Sequence, residues 1–219
     1  MVRLDFASIL FLAAVAVGQR CPANPGRDPS EPPFGQPVTP RPGDVPSGCS
    51  PFEILSARGT SESGKFGYRV GDPVIGNVTA VLNGARGYPV QYPASIDFDS
   101  GIPIGARDVA NRLASQSRLC PDQTFSLIGY SQGAMVIRAA LDLIPASLFP
   151  KIKSLVFFGD PYYQDPIPGA LTAKLLENCA TGDNICNSSG TYCPYGHVSY
   201  TFPQWVELSE AFIVEGFAA

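Results

Sequence analysis

One histidine, His197, stands among 219 residues, and charged side chains make up only 16% of the chain. An average soluble protein carries roughly 25%. Fifteen Lys and Arg face nineteen Asp and Glu, a formal charge of −4. Nothing basic is at hand to track a phosphate backbone, which excludes nucleic acid as a partner. The single imidazole excludes a zinc site built on several histidines and leaves only all-cysteine or carboxylate ligation for a metal. Long apolar runs are scarce too. Phe6 to Val17 is too short to cross a hydrocarbon layer of about 30 Å, and no later stretch is long enough, so no transmembrane segment is expected.

What the chain does contain begins with a secretory pattern. Arg3, the apolar run and Ala16-Val17-Gly18 supply the charged, apolar and small-residue parts of a signal peptide over residues 1–18. The mature protein is then expected outside the cell. Between Cys21 and Cys49 lie nine prolines (22, 25, 29, 32, 33, 37, 40, 42 and 46). Proline fixes φ and lacks an N–H, so residues 19–48 read as an extended, mobile leader ahead of a domain at 49–219.

Secretion makes the six cysteines disulfide candidates. Six allow fifteen pairings, and parity does not choose among them. Cys179 and Cys186 lie close across a Thr181-Gly182-Asp183 turn, within reach of a local bridge. A Cys49–Cys120 bridge would tie the start of the domain to its middle. Cys21 and Cys193 remain by elimination. Asn77-Val78-Thr79 and Asn187-Ser188-Ser189 are N-glycosylation acceptors compatible with the same route.

From Cys49 onward, strand and helix patterns alternate. Strands are expected over 52–57, 88–92, 124–128, 154–158 and 174–178, and helices over 72–82, 104–119, 134–144 and 204–215. This alternation implies an α/β fold, a five-stranded, mainly parallel sheet with helices on both faces. Sites in such sheets form beyond the carboxyl ends of the strands. The loops after Ala57, Ile128, Phe158 and Asn178 therefore share one rim.

Gly129-Tyr130-Ser131-Gln132-Gly133 lies on that rim and matches G-x-S-x-G. The bare pattern is weak, but an apolar strand runs into it and a helix leaves it, as in a nucleophile elbow. Such a turn exposes Ser131 Oγ and aims the helix N-terminus at a developing oxyanion. A serine hydroxyl needs a base, and His197 is the only imidazole. The acid lies between them. Asp142 is on the helix leaving the elbow and points the wrong way. Asp160, at the end of a strand in Phe158-Gly159-Asp160-Pro161, rivals Asp183, which sits inside the proposed Cys179–Cys186 loop.

These segments together resemble the cutinase family of secreted serine esterases, which includes acetylxylan esterases. The carrying motifs are Ala57-Arg58-Gly59-Thr60-Ser61-Glu62, Gly129 to Ala134, Cys179 to Cys186, and His197-Val198-Ser199-Tyr200. The resemblance runs from about Cys49 to the C-terminus. It implies a compact three-layer, lidless α/β-hydrolase with Ser131 as nucleophile, His197 as base and Asp183 as orienting acid. It also implies an oxyanion hole from the Thr60 and Gln132 N–H groups, and bridges at Cys49–Cys120 and Cys179–Cys186. Cys21, Cys193 and the proline leader depart from the core pattern, and a Cys21–Cys193 bridge would bring the leader near the active site. Phe158-Gly159-Asp160-Pro161 looks closer to the acetylxylan esterases.

The expected activity is hydrolysis of carboxylic esters, cutin or short acyl esters, by a monomer without metal or organic cofactor. Acetylated xylan is the alternative substrate. A catalytically silent secreted binding protein on the same fold is a reading from another class. A flavodoxin-like nucleotide binder is a third, but no glycine loop with lysine is present to cradle phosphate.

Overall fold

The computed structural model describes residues 20–187 and 190–219, and the expected signal segment lies outside them. Five strands, β1 (Phe52–Ala57), β2 (Ala85–Pro89), β3 (Thr124–Tyr130), β4 (Ile152–Phe158) and β5 (Leu175–Asn178), form one sheet in the order β2-β1-β3-β4-β5. Every pairing is parallel. Four helices, α1 (Gly71–Val81), α2 (Phe98–Leu119), α3 (Gln132–Leu141) and α4 (Pro203–Ala218), cover its two faces. Successive strand side chains point to opposite faces. Leu55, Leu127 and Leu155 thus pack with Val109, Leu113 and Ile137 of α2 and α3, whereas Ile54, Ile128 and Val156 pack with Val74, Val78 and Ile213 of α1 and α4. The central strands are apolar on both faces because both are covered. The fold is the three-layer α/β architecture that the alternation implies.

Several elements begin earlier than their sequence pattern suggests, β2 and α2 by the most. β2 starts at Ala85 rather than at residue 88, and its polar Arg86 is accommodated because β2 is an edge strand whose arginine meets Glu53 of β1 at 2.7 Å. α2 starts at Phe98 rather than 104, running through Pro103. Its first turn is capped by Asp97, whose side chain accepts from Ser100 N at 3.3 Å.

The proline-rich segment is extended, as expected, but it is tied to the domain. Arg112 and Arg86 donate to the carbonyls of Pro46 and Ser47 at 3.1 and 2.9 Å, and Val38 N donates to Pro93 O at 2.7 Å. Proline restricts the free chain as well as the bound one, so few contacts suffice to order it. All six cysteines are bonded, as Cys21–Cys193, Cys49–Cys120 and Cys179–Cys186. No helix among the described residues is long and apolar enough to cross a membrane.

Candidate active site

The parallel register brings the carboxyl ends of the strands to one level, with Ala57 beside Gly129, Tyr130 beside Phe158, and Phe158 beside Asn178. Ser131 follows β3 directly and stands at φ +53°, ψ −119°, a region costing a non-glycine residue on the order of 1–3 kcal/mol. The turn holds because Ser131 N donates to Phe158 O of β4 at 2.9 Å. It also needs Gly133, where a Cβ would run into the carbonyl of Ala57. The strain is thus met by the sheet on one side and helix packing on the other.

His197 Nε2 lies 2.9 Å from Ser131 Oγ, and its Nδ1 lies 2.9 and 3.0 Å from the two oxygens of Asp183. With Asp183 an acceptor, Nδ1 carries the proton and Nε2 is left to accept from the serine hydroxyl. Asp183 is fully buried. Burial pushes its carboxyl up, but the hydrogen bond and charge of His197, with donors from Tyr200 and Ile185, outweigh this and hold it below the usual value. Its loop is closed by Cys179–Cys186, and Asp183 N donates to Ala180 O at 3.0 Å. The main chain at His197 is held by Tyr130, whose hydroxyl donates to His197 O at 2.8 Å, and the two rings lie 5.3 Å apart.

Thr60 and Gln132 flank the serine. Thr60 Oγ1 donates to Gln132 Oε1 at 3.2 Å, bridging the loop after β1 to the first residue of α3. A residue at that helical position has no intrahelical acceptor for its N–H. Glu62 clamps the Thr60 loop by accepting from Gly59 N at 2.7 Å and Arg69 N at 2.9 Å. Burial raises its carboxyl to about 7 against those donors.

The rival acid, Asp160, is near but engaged elsewhere. Arg138 of α3 donates to it at 2.6 Å and to Glu177 of β5 at 2.8 Å, so Arg138 ties the elbow helix to the ends of β4 and β5. Its neighbour Gly159, at φ +54°, serves the site by absence, since a Cβ there would lie 2.7 Å from His197 Cε1. Glu62, Tyr130 and Tyr200 lie inside the segments that carry the resemblance but were given no role there, and Arg138 lies outside them. Asn77 lies half-buried on α1 and Asn187 is exposed after the Asp183 loop, with Ser188 and Ser189 outside the described residues.

The cutinase family profile matches residues 48–217. A cutinase of Hypocrea jecorina is 36% identical over 171 residues, covering 76% of this chain and 67% of that protein. A Trichoderma reesei cutinase solved with a C11Y4 phosphonate inhibitor is 35% identical, with TM-score 0.67 and 78% of each chain covered. The catalytic core domain of acetyl xylan esterase from Trichoderma reesei, 22% identical over 77% of this chain and 99% of its own with TM-score 0.66, shares the fold. Span, identity and architecture agree, and the chain therefore belongs to the cutinase family, as a carboxylic ester hydrolase.

Proposed function

We propose that the enzyme is secreted and cleaves cutin or short acyl esters in two acyl-transfer steps centred on Ser131. One observation carries this reading, the unbroken hydrogen-bond line from Ser131 Oγ through His197 to the buried Asp183. His197 Nε2 takes the hydroxyl proton as Oγ attacks the ester carbonyl. The N–H groups of Thr60 and Gln132 receive the oxyanion, and Asp183 stabilises the imidazolium. Collapse expels the alcohol, which leaves with the proton from His197. Water then repeats the sequence on the acyl-enzyme, freeing the acid and Ser131. Three disulfides and the apolar start of the chain support export, with residues 19–48 as leader and 49–219 as the hydrolase domain.

Ser131→Ala is expected to lower kcat on p-nitrophenyl butyrate by about 10⁴-fold or more and to abolish covalent labelling by an alkyl phosphonate. A variant that hydrolyses the ester at the wild-type rate would sink the assignment. Comparing butyrate esters with acetylxylan fixes the substrate class, faster deacetylation of the polysaccharide pointing away from cutin.

A further inference from the structure

The described residues before the hydrolase core form one side of the site's mouth. Glu31, Pro32 and Phe34 line the same cavity of about 200 Å³ as Ser131 and His197. Pockets that hold drug-sized ligands run to about 300–1,000 Å³, so this one suits a short acyl group. The segment is fastened beside the reacting residues. Cys21 is bonded to Cys193, whose N–H donates at 3.0 Å to Gly182 O in the Asp183 loop. Glu31 accepts from Tyr68 at 3.2 Å and from Arg69 at 3.4 Å. Gly35 N donates to Ser61 Oγ, and Ser61 Oγ to Gln36 O, both at 2.8 Å, adjacent to Thr60. The hydrogen bonds are few and each contributes only about 1 kcal/mol. The disulfide is what makes the wall permanent, because it holds the segment at a high effective concentration over its contacts.

Phe34 is the feature that folding does not explain. It is 81% exposed, between a proline and a glycine that reaches across to Ile96, and it stands at the rim of the cavity. An aromatic there adds little to a core.

We propose that residues 21–38 are a specificity element of the esterase. Pro32 and Phe34 close the open side of the ester slot, and the Cys21–Cys193 bridge keeps them there. The enzyme therefore takes short, soluble acyl esters and turns away long acyl chains and the surface of a polyester. This rests on the esterase reading above and narrows its substrate class from cutin to short esters.

The test uses the full chain and its Phe34→Ala and Cys21→Ser/Cys193→Ser variants, with p-nitrophenyl acetate, butyrate and laurate as substrates and active sites counted by phosphonate titration. The wild type is expected to favour acetate and butyrate by kcat/KM. In each variant the laurate-to-acetate ratio is expected to rise about tenfold, the scale on which apolar slots discriminate by size. Phe34→Ala decides the matter if the double variant does not fold, since an exposed side chain is replaced there. An unchanged ratio in Phe34→Ala, with active sites intact, overturns the proposal and leaves the esterase reading standing. A wild type that cleaves none of the three esters and takes no phosphonate overturns both.

Discussion

Tyr200 shows how much of the site depends on a side chain that touches no substrate. Burial and the adjacent Asp183 carboxylate push its phenol far above the usual range, so it stays protonated and donates to Asp183 Oδ2 at 2.5 Å. A hydrogen bond to a charged group contributes roughly 1.5–3 kcal/mol. Tyr200→Phe keeps the ring but leaves Asp183 Oδ2 with only His197 Nδ1, at 2.9 Å, and kcat is expected to fall about tenfold, as for a loss near 1.4 kcal/mol, with KM nearly unchanged. The variant carries a second signature. Asp183 is depressed in the folded state, so its contribution to stability is present above the ordinary carboxylate range and lost as pH falls through the depressed value. Removing the Tyr200 donor raises that value, and the acid-unfolding midpoint, followed by circular dichroism, is expected to move to higher pH. Wild-type kcat together with a wild-type acid midpoint would show the bond to be idle. At this scale the sequence was a good guide where scarcity or spacing spoke. A lone histidine and a glycine-flanked serine point to each other. Position alone left Asp183 and Asp160 open, because what separates them is Arg138, a helix residue whose reach to Asp160 and Glu177 exists only after the sheet has formed.

Among the elements, β3 and β4 were legible because strands covered on both faces read as continuous apolar runs. β2 was read as a strand but placed three residues late, because its start at Ala85-Arg86-Gly87 is polar and flexible and is set by charge. Glu53 of β1 is fully buried and receives Arg86 at 2.7 Å, Arg112 of α2 at 2.6 Å and Gln123 at 3.1 Å. One carboxylate thus joins two strands, a helix and the loop before β3. Breaking a buried pair leaves an uncompensated charge, so Arg112→Ala is expected to lower unfolding stability by about 3 kcal/mol in urea titration. A loss below about 1 kcal/mol would mean that Arg86 alone satisfies Glu53. The same substitution removes the donor to Pro46 O, so the domain-proximal end of the leader is expected to exchange its amides faster.

For the whole molecule, covalent links add to what the two cores on the sheet supply. Cys49–Cys120 spans 71 positions and ties the entry of β1 to the end of α2. Chain-entropy arguments give a loop of that length about 4 kcal/mol of stabilisation. Cys49→Ala/Cys120→Ala is therefore expected to unfold at markedly lower denaturant, while retaining activity under native conditions because neither residue adjoins Ser131. Full retention of the midpoint would show that the helix and strand ends are held by packing alone. The proline segment was the part least legible from sequence. Its composition said extended, and it is, but composition carries no information on where an extended chain lies, which Cys193, Ser61 and Tyr68 decide.

The Cys21–Cys193 link spans 172 positions, and that distance orders events during synthesis. Cys21 is the first cysteine to emerge and Cys193 the last, so Cys21 must stay unpaired, or be released from a wrong partner, while Cys49, Cys120, Cys179 and Cys186 appear in turn. By the time residue 193 is available, β1 to β5 have all been made. Cys21–Cys193 is thus the last of the three bridges for which both cysteines become available, and the site it flanks is complete only once His197 has followed.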